Sequence, residues 1–73
     1  MDESSLGVLR VFSEMGAEML DLHTLFEAGG NDPRSRERVL DTITRLVDTG
    51  HLEARGSDFY SLTDKGRSAL RNR

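Results

Sequence analysis

Leu6, Leu9, Phe12 and Met15 recur at helical spacing, with Val8 and Val11 widening the stripe. Ser4 and Ser5 ahead of them are N-cap residue types, and Gly16 behind them suits a left-handed stop. The pattern predicts a first helix over residues 5–15. Residues 17–20 are too short to decide between a linker and a strand. Asp21 is a second N-cap type. Leu22, Leu25 and Phe26 follow at i, i+3 and i+4, so a short second helix is expected over 22–28, closed by Gly29 and Gly30. Asp32 then caps and Pro33 starts a third helix, because proline at the first helical position forfeits no needed hydrogen bond. Val39, Ile43, Leu46 and Val47 form its apolar face, with Leu40 at the edge. This helix is expected over 33–49, with Gly50 as its stop.

After Gly50 the period changes. His51 to Arg55 and Phe59 to Leu62 read as two short strands, joined by the turn residues Gly56-Ser57-Asp58. Thr63 caps a last helix over 64–71, which Gly66 weakens by about 1 kcal/mol relative to alanine. Phe12, Phe26 and Phe59 are expected in the core, with Met15 and Met19 as filler and Tyr60 half buried. The expected fold class is α+β and mostly helical: three helices, a two-stranded hairpin and a C-terminal helix, forming one domain over residues 1–73.

Two strings carry a family resemblance. Ile43-Thr44-Arg45-Leu46-Val47-Asp48-Thr49-Gly50-His51-Leu52 looks like the end of a recognition helix running into a wing. Tyr60-Ser61-Leu62-Thr63-Asp64-Lys65-Gly66 resembles the Y-x-L-T-x-x-G wing ending of MarR-like and PadR-like regulators. The resemblance covers about residues 5–70. It implies a winged helix-turn-helix, with the helix-turn-helix over about 22–49 and the wing over about 51–62. It also implies double-stranded DNA as partner and transcription regulation as function. One departure stands out. Wings of those regulators often carry several basic residues at the tip, whereas here Arg55 is the only base beside Gly56-Ser57-Asp58. A backbone contact from Arg55 is the most that this wing predicts.

Composition changes the picture in two ways. The chain has 73 residues, 36% of them apolar, and no cysteine. A domain this small buries only about 60% of its unfolded surface, and neither a disulfide nor a cysteine zinc site is on hand to brace it. Its core must come from efficient helix packing or from a partner chain. No apolar run reaches the roughly 18 residues needed to cross a membrane. The Met-Asp-Glu start lacks the basic region of a secretory signal, and with cysteine absent a cytoplasmic location is expected.

The net charge of -3 hides a division. Residues 1–32 hold seven acids against Arg10 alone, giving -6, and residues 33–73 hold nine bases against six acids, giving +3. At about 100° per residue, Arg34, Ser35, Arg38, Asp41, Thr42, Arg45 and Thr49 fall opposite Val39, Ile43 and Val47. Ser35, Arg38, Thr42 and Arg45 are therefore expected to meet base edges in the major groove. Arg34 and Arg36, at the helix start, are expected to meet phosphate. Lys65 and Arg67 add phosphate contacts if the last helix begins near DNA. A plainer alternative is that Glu37, Asp41 and Asp48 pair with these arginines at i, i+3 or i+4 and merely solvate the helix.

No chemistry of catalysis is legible. Gly29-Gly30 lacks both nucleotide-binding fingerprints, no serine sits in a nucleophile motif, and His23 and His51 stand 28 residues apart without cysteine support. No enzyme activity, cofactor or metal is expected. Two functions follow. The first is a sequence-selective DNA-binding regulator, expected to act as a homodimer on a palindromic site through the leading region, the first helix or the last helix. The alternative is a winged-helix protein-interaction module or accessory subunit that does not bind DNA.

Overall fold

The computed structural model describes residues 1–71. The elements run α1 (Glu3–Met15), β1 (Met19–Asp21), α2 (Leu22–Gly29), α3 (Pro33–Asp48), β2 (Leu52–Arg55), β3 (Phe59–Leu62) and α4 (Asp64–Arg71). The fold is a small, mostly helical α+β arrangement of four helices with a three-stranded antiparallel sheet. Its strand order is β1-β3-β2, so the second strand of the hairpin is central. β1 resolves the open choice at residues 17–20: Leu20 pairs with Tyr60, and Leu52 pairs with Leu62 on the other side.

The first helix begins two residues earlier than its serines suggest. Asp2 is the cap, its carboxylate accepting from the Ser5 amide at 2.9 Å. Ser5 itself is buried. The face turned inward is Ser5, Val8, Leu9 and Phe12, at i, i+3, i+4 and i+7, and Leu6 is only half buried. At the other end the Gly16 and Ala17 amides return to the Ser13 and Phe12 carbonyls, with Gly16 at φ 62°. That is a Schellman stop, and it lays Ala17 near the core. α3 ends the same way: the Gly50 and His51 amides bond the Val47 and Leu46 carbonyls.

Phe12, Leu9, Ile43 and Leu52 are the largest fully buried side chains. Each stabilises the fold by roughly 1.5–3 kcal/mol relative to an exposed position. Around them lie Val8, Leu20, Leu25, Val39, Leu46 and Leu62, so every element except α4 places a large apolar side chain in the centre. Phe26 and Tyr60 are half buried. Three expected core residues lie outside instead. Met15 is 57% exposed, Met19 51% and Phe59 48%. Met15 closes the last turn of α1, past the edge of the core. Met19 and Phe59 occupy the sheet face that alternates away from Leu20, Tyr60 and Leu62.

α4 docks through absence rather than bulk. Gly66 is buried, and a Cβ there would collide with the His51 carbonyl oxygen and come within 2.7 Å of Leu62. The glycine that weakens this helix locally is what lets it touch the strand junction. Thr63 caps it, accepting from the Gly66 amide at 3.1 Å and donating to the Gly50 carbonyl at 2.6 Å. His51 sits at this junction, with Nδ1 2.7 Å from the Thr49 hydroxyl. Partial burial, and then the Lys65 charge, push its pKa below 6.5.

Two tests follow from this packing. Gly66→Ala should destabilise by about 1–3 kcal/mol through the collision, although propensity alone favours alanine. Gly7→Ala on α1, where a Cβ meets nothing within 4 Å, should gain up to about 1 kcal/mol. Denaturant titration of both variants in dilute solution reads the contrast.

Acidification should weaken the fold in two steps. His51 is depressed in the fold, so its contribution is intact above the unfolded value near 6.5 and is lost as pH falls below it. Asp2 and Asp32 are also depressed, by Ser5 (hydroxyl, then amide) and by the Ser35 amide and hydroxyl respectively. Their contribution is intact above the unfolded carboxylate range and is lost at lower pH. Melting temperature against pH should show both steps, and His51→Gln should remove the upper one only.

Candidate nucleic-acid interface

α3 carries most of the side chains expected to contact DNA. Asp32 fixes its start: one carboxylate oxygen accepts the Ser35 amide at 3.1 Å and the other the Ser35 hydroxyl at 2.8 Å. Pro33 follows as the first helical residue. The preceding Gly29-Gly30 turn lets α2 approach closely, since a Cβ on Gly29 would lie 2.6 Å from Val39 Cγ2. Val39, Thr42, Ile43 and Leu46 then bury one face.

That face differs from the expected one by a rotation. The expected face was Val39, Ile43, Leu46 and Val47, with Thr42 outside it. Val47 is half buried, and Thr42 is buried to 3% exposure. Thr42, expected to meet base edges, is thus turned into the core. Its hydroxyl donates to the Arg38 carbonyl at 2.8 Å, which satisfies the group inside its own helix. Ser35 shifts the same way: it is half buried and its hydroxyl serves Asp32. The outer stripe becomes Arg34, Glu37, Asp41, Thr44 and Asp48, with Arg38 and Arg45 along the side facing α1. All seven are exposed.

The arginines differ in their freedom. Arg34 has no hydrogen bond or ion pair among the described residues, and Arg38 touches only the Ser35 hydroxyl, at 3.3 Å. Helical spacing offers carboxylates to both, yet none of Glu37, Asp41 and Asp48 comes within 4.0 Å of an arginine among the described residues. Arg45 is held instead by Asp2, at 3.6 Å, from the start of α1. Sequence reasoning missed this pair because it joins residues 43 positions apart, and no local pattern announces it. Arg36 donates to the Asn31 side chain at 3.0 Å and lies 5.1 Å over the Phe26 ring, tying α3 to α2.

The remaining candidates flank α3. Arg55 on β2 donates to the Ser61 hydroxyl at 3.2 Å and pairs with Glu53 at 3.3 Å. The hairpin tip beyond it is Gly56-Ser57-Asp58, and the Asp58 carbonyl accepts the first amide of α2 at 2.8 Å. The tip is thus fastened to α2. Lys65 has another engagement than phosphate: its ammonium donates to the Thr49 carbonyl at 2.7 Å, closing the end of α3. Arg67 is shared between Asp64, at 2.9 Å, and Glu18, at 3.2 Å, and both carboxylates hold its pKa above the ordinary value.

Charge over this region is balanced against phosphate. Between residues 22 and 62 there are seven acids and five arginines. An approaching duplex would meet an arginine edge on the α1 side of α3 and a carboxylate stripe beside it. A shallow cleft of about 610 Å3 borders α3, lined by Asp2, Arg38, Asp41 and Arg45 among others. Among the described residues no three His, Asp or Glu side chains gather as metal ligands, and no helix is long and apolar enough to cross a membrane. Neither a known protein family, nor a curated protein, nor a solved structure matches the chain.

Proposed function

We propose that the chain is a winged-helix DNA-binding protein, a small transcriptional regulator working in the cytoplasm that lays α3 in the major groove. The observation that carries this reading is the exposed edge of Arg34, Arg38 and Arg45, of which the first two have no carboxylate within 4.0 Å among the described residues. Free guanidiniums on one side of a helix match both phosphate and the O6/N7 edge of guanine. The order helix–strand–helix–helix–strand–strand–helix, with the hairpin's second strand paired on both sides, supports the winged-helix assignment. In this reading β2 and β3 are the wing, Arg34, Arg38 and Arg45 contact DNA from α3, and Arg36 and Arg55 flank them at phosphate. The protein acts as a homodimer on a palindromic site.

A second reading has its own support. Glu37, Asp41 and Asp48 are all exposed on the same helix, and such a stripe suits a basic protein surface better than a polyanion. In that case the chain is an interaction module or accessory subunit.

Gel-shift titration with genomic fragments over a salt series separates the two. With about four phosphates neutralised, log K against log[salt] should fall with a slope of roughly -3 to -4. Arg34→Ala should make that slope shallower by about one, and the double reversal Arg38→Glu/Arg45→Glu should abolish binding. Affinity indifferent to salt, or unchanged by the double reversal, would sink the DNA reading.

A further inference from the structure

The outer face of α1 has a pattern that nothing inside the chain uses. Glu3, Gly7, Arg10 and Glu14 follow one another at i, i+4, i+7 and i+11, opposite buried Leu9 and Phe12. Arg10 is the only Lys or Arg among the first 32 residues. It forms no ion pair among the described residues, not even with Glu14 one turn away. Gly7 lies in the middle of the helix, where glycine weakens it. A Cβ there would meet nothing within 4 Å, and its φ is not positive. Neither crowding nor backbone conformation therefore requires this glycine. Beside it a cleft of about 210 Å3, floored by Val8, Leu25 and Val39, opens to solvent, with Val11 on its rim.

We propose that this face is the contact with a second copy of the chain, α1 against α1 and antiparallel, about a two-fold axis at Gly7. The missing side chain lets the two helix backbones approach closely. In an antiparallel crossing the residue k positions after Gly7 meets the residue k positions before it. Arg10 then lies over Ser4 of the second copy, one residue from Glu3, and the symmetry makes the Arg10–Glu3 pair twice. Val11 of each copy comes down beside Glu3 and Ser4 of the other, at the mouth of the cleft. The charges select this occupant. A uniformly basic partner would be repelled at Arg10 and a uniformly acidic one at Glu3 and Glu14. A parallel copy would set Arg10 on Arg10 and Glu3 on Glu3. An antiparallel copy answers both signs.

The surface rests on the homodimer part of the proposed function and not on DNA, so it is tested without DNA. Sedimentation equilibrium of the whole chain, up to millimolar concentration, should give a dimer. Arg10→Glu and Glu3→Arg should each weaken it about tenfold or more, since each turns two attractions into repulsions. The double exchange Glu3→Arg/Arg10→Glu should restore it. Gly7→Gln supplies a good helix former on an open face, so its melting temperature in dilute solution should hold or rise while the dimer is lost. A chain monomeric at every concentration overturns the proposal. So does a dimer indifferent to the single reversals, a double exchange no better than the singles, or a dimer that survives them and is lost with Phe59→Ser on the sheet face. A dimer with this charge signature and no DNA affinity would leave the surface standing and remove only the regulator reading.

Discussion

Thr42 and Ile43 enter the core side by side, and that pair sets the rotation of α3 about its own axis. With both inside, Val39 and Leu46 follow on the turns above and below, and Val47 is left half buried. What α3 can touch depends on this rotation. It sends Arg34, Arg38 and Arg45 outward on one side and Glu37, Asp41 and Asp48 outward beside them. A buried threonine is affordable in a helix because its hydroxyl can donate to the carbonyl one turn back, here Arg38. The same position as valine would pack similarly; as asparagine it would need a partner that the core lacks.

The ends of α3 are fastened as firmly as its middle, and both fastenings consume polar groups that would otherwise face a ligand. Asp32 occupies Ser35 at the start, and Lys65 and Thr63 occupy the Thr49 and Gly50 carbonyls at the end. Arg45 is restrained from a third direction by Asp2. Asp2 already caps α1, so one residue couples the start of α1 to the outer edge of α3. The pair is exposed, and such pairs are worth little by themselves. Its importance lies in competition: a phosphate reaching Arg45 must displace a carboxylate that is fixed in place by its capping bond.

Much of the fold was legible in the sequence because its boundaries are written in residues with a single mechanism. Gly16 and Gly50 stop helices through left-handed geometry, Pro33 starts one, and Gly56-Ser57-Asp58 turns the hairpin; all four lie where expected. The misses are of another kind. Phe59, Met15 and Met19 read as core because they are large and apolar, but the pleat and the helix end face them outward. Thr42 and Ser35 read as polar and therefore outer, although the angular centre of the face belongs to Leu46 as much as to Ile43. Long-range partners left no mark at all: neither Asp2–Arg45 nor Lys65–Thr49 follows from spacing.

Gly66 and Gly7 carry this distinction between local and tertiary information furthest. Both interrupt helices, and propensity assigns both the same penalty. In the fold they part company. Gly66 is enclosed by the His51 carbonyl and Leu62, so its cost is offset by docking within the chain. Gly7 has open space around it and no internal contact to offset the same cost. A domain of 73 residues has little stability to give away. A penalty without an internal return directs attention to an external one, and the flanking charges of Glu3 and Arg10 give that external contact a sign and a symmetry.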